Sequence, residues 1–220
     1  MTTTLDVISG GRAVLGLGAA WFEAEHAAYG FPFPPLKERF EHLEDALRIS
    51  RAMFTAERPT VEGTHHRVER VYNNPPPLRG DIPILVGGSG ERKTLRLVAQ
   101  YADGCNLFGD VERVRHLLEV LDGHCEAVGR DPSEITRTRM ATVLIAPTHE
   151  EAQRKREAWA ATGVPRDRVE ATLSGDPDSV AEQAQAYADV GIQGLTFSMP
   201  DVHDLEAVDL AGRTLSAVFS

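Results

Sequence analysis

What most constrains this chain is an alternation. Short apolar runs bounded by glycine or proline recur along it, and stretches with helical apolar spacing separate them. The runs fall at residues 13–18 (AVLGLG), 84–87 (ILVG), 105–108 (CNLF), 139–146 (RMATVLIA) and 194–198 (GLTFS). Leu36, Phe40, Leu43, Leu47 and Phe54 stripe a helix over residues 35–55. Val111, Val114, Leu118, Leu121, Cys125 and Val128 stripe another, which Gly129 stops. Thr148 and Glu151 have capping-box spacing, opening a helix that runs through residue 159. Asp176 followed by Pro177 starts a further helix, with Val180, Ala184 and Tyr187 inward and Gly191 at its end. Residues 205–218 form a closing helix.

Strands separated by helices argue for βα units on a parallel sheet. About five strands are legible in these 220 residues. A closed (β/α)8 barrel needs eight, typically in ~250 residues. The expectation is an open α/β sheet, or a TIM barrel lacking part of itself. Residues 58–81 depart from the alternation. Pro59, Gly63, Pro75, Pro76, Pro77 and Gly80 break any helix there, leaving a long excursion with room for a short hairpin at 60–68. Such an insertion is either a lid or binding loop, or a surface excursion that only covers apolar area.

The chain carries a net charge of −10, which gives it no general attraction for nucleic acid or for an anionic membrane. An anionic ligand would have to be held by a local device. No apolar run approaches the ~20 residues of a membrane helix. Residues 1–6 show no secretory pattern, and two cysteines make no disulfide framework. The expected compartment is the cytoplasm.

Two segments can carry chemistry. In residues 84–93 (ILVGGSGERK) an apolar strand runs into a glycine turn, and a helix with Leu95, Leu97, Val98 and Tyr101 follows. Gly87, Gly88 and Gly90 expose backbone N–H groups, Ser89 adds a hydroxyl, and Arg92 or Lys93 adds charge near the positive end of a helix dipole. That is a device for holding one phosphate; it is also what a purely structural βα turn looks like. It lacks the GxxxxGK[ST] pattern of a nucleoside triphosphatase loop. The second segment is residues 15–26 (LGLGAAWFEAEH). Gly18, Ala19 and Ala20 let a planar group approach the backbone, and Trp21 and Phe22 add aromatic surface. This reads either as one wall of a ring-binding pocket or as a packed loop before a solvent-facing acidic helix.

The other candidates are weaker. His65 and His66 are neighbours, and neighbours point apart in extended chain, so no metal site is read. Cys105 and Cys125 fall on apolar positions and read as core thiols. No nucleophile–base pair emerges from the spacing, and the catalytic residues stay unassigned.

Taken in order, residues 5–12 (LDVISGGR), 14–25 (VLGLGAAWFEAE), 31–35 (FPFPP) with 38–40 (ERF), the 84–92 turn, 102–106 (ADGCN), 175–181 (GDPDSVA) and 187–192 (YADVGI) resemble the bacterial luciferase-like monooxygenase family. The likeness is closest to its branch that uses the deazaflavin coenzyme F420. It covers nearly the whole chain as one luciferase-like domain, residues 1–220. It implies a TIM barrel with a flavin-type ring at the C-terminal mouth. By this resemblance the turn at Gly87, Gly88, Ser89, Gly90 and Arg92 holds the coenzyme phosphate, and Gly18, Ala19, Ala20 and Trp21 lie along the ring or its side chain. It implies hydride transfer with F420, or chemistry with FMN as the alternative cofactor, on a small organic substrate.

The sequence departs from the family in one large way. Relatives carry about a hundred further residues, roughly three βα units, before the LDVISGGR stretch. The resulting expectation is a partial barrel missing about its first three βα units, with unpaired strand edges that invite a homodimer. A non-catalytic flavin-binding remnant or partner subunit is the alternative reading. Cys105 stands where relatives often have tryptophan.

Overall fold

The computed structural model describes residues 1–219, which divide into two compact units. The first comprises residues 1–105 and 121–135, the second residues 106–120 and 136–220. In the first unit the elements run α1 (Thr2–Ser9), β1 (Leu15–Leu17), α2 (Glu23–Tyr29), α3 (Leu36–Thr55), β2 (Val61–Glu62), β3 (Arg67–Val68), β4 (Ile84–Gly87) and α4 (Thr94–Tyr101). Strand β5 (Gly104–Leu107) and helix α5 (Val111–Val128) contribute residues to both units. The second unit adds β6 (Thr136–Ile145), α6 (His149–Ala160), α7 (Arg166–Glu170), β7 (Leu173–Gly175), α8 (Pro177–Asp189), β8 (Gly194–Ser198) and α9 (Leu205–Val218).

Within the first unit, β1 and β4 pair in parallel, Leu15 opposite Ile84 and Leu17 opposite Val86. The alternation of β4 explains its placement. Ile84 and Val86 are fully buried, while Leu85 and Gly87 are half-buried. The core is completed by Leu43 and Leu47 of α3 and by Leu95, Leu97 and Val98 of α4. Burying each such side chain contributes roughly 1.5–3 kcal/mol. A polar clamp fixes the start of β4. The Asp103 carboxylate accepts the Ile84 N–H at 2.7 Å and an Arg51 N–H at 2.5 Å, and Arg51 also pairs with Asp81. Burial alone would lower the Arg51 pKa, but Asp103 and Asp81 outweigh it and raise it further.

Helix α1 was not foreseen from the polar start of the sequence. Its Asp6 is buried and accepts the N–H groups of Leu78 at 2.9 Å and Ala13 at 3.4 Å, so one carboxylate ties the excursion to the entry of β1. Within the excursion β2 and β3 form a short antiparallel hairpin, Val61 opposite Val68.

In the second unit, β6 pairs in parallel with β8 along Thr138–Thr142 and with β7 along Val143–Ile145. Val143, Leu144, Ile145, Val180, Ala184 and Ala211 are buried. Thr148 caps α6 by accepting the Glu151 N–H at 3.3 Å, and Asp176 caps α8 by accepting the Ser179 N–H at 2.9 Å. The sequence reading missed β7, whose three residues are too few to leave a periodic signal.

Candidate functional site

The candidate site lies in the first unit, where β1 and β4 end side by side. Because the register sets Leu17 against Val86, Gly18 and Gly87 leave the sheet together. A Cβ on Gly18 would stand 3.6 Å from the Gly87 carbonyl oxygen, so the two backbones run in close contact. Beyond Gly87 the turn needs glycine for local reasons. Gly88 has φ +136, and a Cβ there would meet the Thr94 side chain at 3.1 Å. A Cβ on Gly90 would meet Thr94 Oγ1 at 2.8 Å. Thr94, itself buried, backs the turn from the first residue of α4. Ser89 is half-buried and Arg92 exposed.

The second glycine segment is held from α3. Arg39 donates to the Ala20 carbonyl at 2.6 Å, to the Ala19 carbonyl at 3.5 Å and to the Pro34 carbonyl at 3.1 Å. Its guanidinium lies 4.1 Å from the centre of the Phe33 ring, a favourable cation–π contact. Ala20 sits at φ 60. A left-handed alanine costs of order 1 kcal/mol and persists only where surroundings enforce it; Arg39 supplies that enforcement. Beside this loop opens a cleft of about 390 Å³, lined by Gly18, Ala19, Ala20, Arg39, His42 and His66 among others. Trp21 and the whole turn of Gly87, Gly88, Ser89, Gly90 and Arg92 do not line it. Trp21 is 83% exposed and stacks on Phe22, with ring centres 5.2 Å apart.

A cluster of titratable groups borders the cleft. His65 and His66 do not point apart as extended chain would have them. The turn between β2 and β3 brings both rings against His42 of α3, centres 4.2 and 4.9 Å away. The buried Asp45 carboxylate causes this, accepting the N–H groups of Thr64, His65 and His66 at 2.9, 2.7 and 2.9 Å. Burial would raise the Asp45 pKa, but the His65, His66 and Thr64 amides outweigh it and hold it below the ordinary carboxylate range. Glu41 is likewise lowered, chiefly by its hydrogen bond to His65.

The family model described as luciferase-like monooxygenase matches residues 1–170. The chain belongs to the luciferase-like monooxygenase family. Among its relatives is an F420-dependent glucose-6-phosphate dehydrogenase of Microbacterium testaceum, 29% identical over 92% of this chain and 67% of its own length. An F420-dependent secondary alcohol dehydrogenase, solved with an F420–acetone adduct, superposes with a TM-score of 0.81 at 16% identity. That likeness covers 99% of this chain and 73% of the other. The F420-dependent tetrahydromethanopterin reductase of Methanopyrus kandleri gives a TM-score of 0.76 at 20% identity, over 100% and 78% of the two chains. Both likenesses show the fold, the α/β barrel type with part of the barrel represented. The chain spans about two thirds of the length of the curated relatives it matches.

In this luciferase-like chain, the two glycine segments read from the sequence are thus neighbours in space at the C-terminal ends of paired strands. Sequence reasoning missed Arg39 as a site residue. Its partners lie 19 and 20 residues away, so no local pattern marks it. The histidine cluster was missed for the same reason, since it needs a fold-back between α3 and the hairpin.

Proposed function

We propose that this chain is the later part of an oxidoreductase that transfers hydride with coenzyme F420 to or from a small organic substrate. The juxtaposition of Gly18 and Gly87 on paired strands carries the reading. Neither position has a side chain, so a flat group can approach the backbone, and the Gly88–Gly90 turn offers N–H groups at the start of α4. The residues fit such a coenzyme. Gly87, Gly88, Ser89, Gly90 and Arg92 would hold its phosphate. Gly18, Ala19 and Ala20 would lie along the ring, with Trp21 at the margin. When bound in reduced form, F420 supplies a hydride. The chain's own share is orientation and exclusion of water: Arg39 fixes the loop at Ala19 and Ala20, and Thr94 fixes the turn. The F420-dependent relatives favour this cofactor over FMN, the alternative.

A second reading is a partner subunit or a flavin-binding chain without turnover. Among the described residues β1 and β8 each pair with one strand, and Val14 beside β1 is 56% exposed. Strand edges of this kind are covered in stable proteins, and we read a second copy of the chain as the cover. Among the described residues no helix is long and apolar enough to cross a membrane; we read the protein as cytoplasmic. Titration with F420 and FMN separately, followed by fluorescence, tests the cofactor. Saturable F420 binding with hydride exchange supports the oxidoreductase, binding without exchange supports the flavin-binding chain, and binding of neither rejects both of these and leaves the partner subunit.

A further inference from the structure

Glu38 and His42 stand one helical turn apart on α3, and the β2–β3 turn brings His65 against them. One ligand atom from each of the three lies within 4.8 Å of the others. His42 Nε2 is 3.6 Å from Glu38 Oε1. A zinc-class ion binds nitrogen and oxygen donors at about 2.0–2.2 Å, which sets them roughly 3.3–3.6 Å apart, so the Glu38–His42 pair already has that spacing and the His65 atom closes in by a side-chain rotation. The outer contacts are also in place. His42 Nδ1 lies 2.9 Å from His66 Nε2, which leaves Nε2 for the ion, and His65 Nε2 lies 2.9 Å from Glu41 Oε2. Metal-binding histidines are oriented by such second contacts.

The backbone beneath is fixed independently of any ion. Asp45 holds the amides of residues 64–66, and a Cβ on Gly63 would run into the Asp45 carboxylate. His65 is therefore presented by a clamped turn, and Glu38 and His42 by helix α3. The side chains of Glu38, His42 and His65 are 27–43% exposed, so an ion and its water can reach them. Imidazole with one carboxylate suits zinc and its first-row neighbours, whereas calcium and magnesium prefer all-oxygen sets.

We propose that Glu38, His42 and His65 bind a divalent transition-metal ion of the zinc class, with water completing the shell, and that the ion staples the β2–β3 hairpin to α3. This does not depend on what binds at the two glycine turns. The test is calorimetric titration of Zn²⁺ into the untagged, metal-stripped chain. The expected result is one ion per chain and a rise in melting temperature. His42→Ala and His65→Ala should each weaken binding by about tenfold or more, as should Glu38→Gln, which keeps side-chain size. His203→Ala should change nothing. Co²⁺ should give the visible bands of a nitrogen–oxygen site in wild type and lose them in Glu38→Gln. Circular dichroism of the metal-free variants checks their fold. The absence of saturable one-to-one binding in wild type would overturn the proposal. So would a folded Glu38→Gln variant that binds Zn²⁺ as tightly as wild type.

Discussion

Asp45 shows how much one carboxylate can organise. It is buried, yet it sits below the ordinary carboxylate range because three amides from the hairpin turn donate to it. Removing it in Asp45→Ala strands those donors and should cost about 3 kcal/mol, on the scale of hydrogen bonds to a charged group. The sign of its pH dependence follows from the depressed folded pKa. Its stabilisation is complete above the unfolded value of about 4 and is lost as pH falls through the lower folded value. Chemical denaturation at descending pH should therefore show the gap between wild type and Asp45→Ala closing under acid; a gap that stayed constant would contradict this role. Arg39 of the same helix holds the loop at Ala19 and Ala20. Arg39→Ala frees the Ala19 and Ala20 carbonyls, so the left-handed Ala20 loses its support. Coenzyme affinity should drop about tenfold, the worth of one charge-assisted contact, and a fluorescence titration measures it.

Among the elements, those with a local signal were readable and those built by distant contacts were not. Strand β4 was placed at its observed residues, because Pro83 opens an apolar run that a glycine turn closes. Helix α3 followed from its stripe of Leu36, Phe40, Leu43 and Leu47, and α8 from Asp176 before Pro177. Helix α2 was left as one of two alternatives, and none of its residues is buried. Helix α1 escaped because its decisive residue, Asp6, bonds to Leu78, which lies 72 positions on. In the site the two glycine segments were legible, since glycine runs at strand ends are a local pattern. The left-handed Ala20 was not, because alanine carries no preference for that conformation. At this scale the cap on α6 gives a direct check. Thr148→Ala removes the acceptor for the Glu151 N–H and should cost about 1 kcal/mol, read as a lower melting temperature.

For the whole molecule, the net charge of −10 means that an anionic coenzyme gains nothing from the general field and needs a local device, which we propose is the glycine turn with its neighbour Arg92. Exposed Trp21, Tyr29, Phe31 and Val14 in the first unit leave apolar surface for a second chain. Sedimentation equilibrium at micromolar concentration should show a dimer, and a monomer throughout would contradict that expectation. We propose above all that the turn at 87–90 seats the coenzyme phosphate. Its most direct test is F420 titration of wild type, Arg92→Glu and Gly88→Asp, with thermal melts to confirm folding. Arg92 is exposed, so its replacement leaves the core untouched. Saturable binding by wild type is expected, weakened about tenfold by Arg92→Glu and about a hundredfold by Gly88→Asp. Equal affinity in wild type and both folded variants would contradict it.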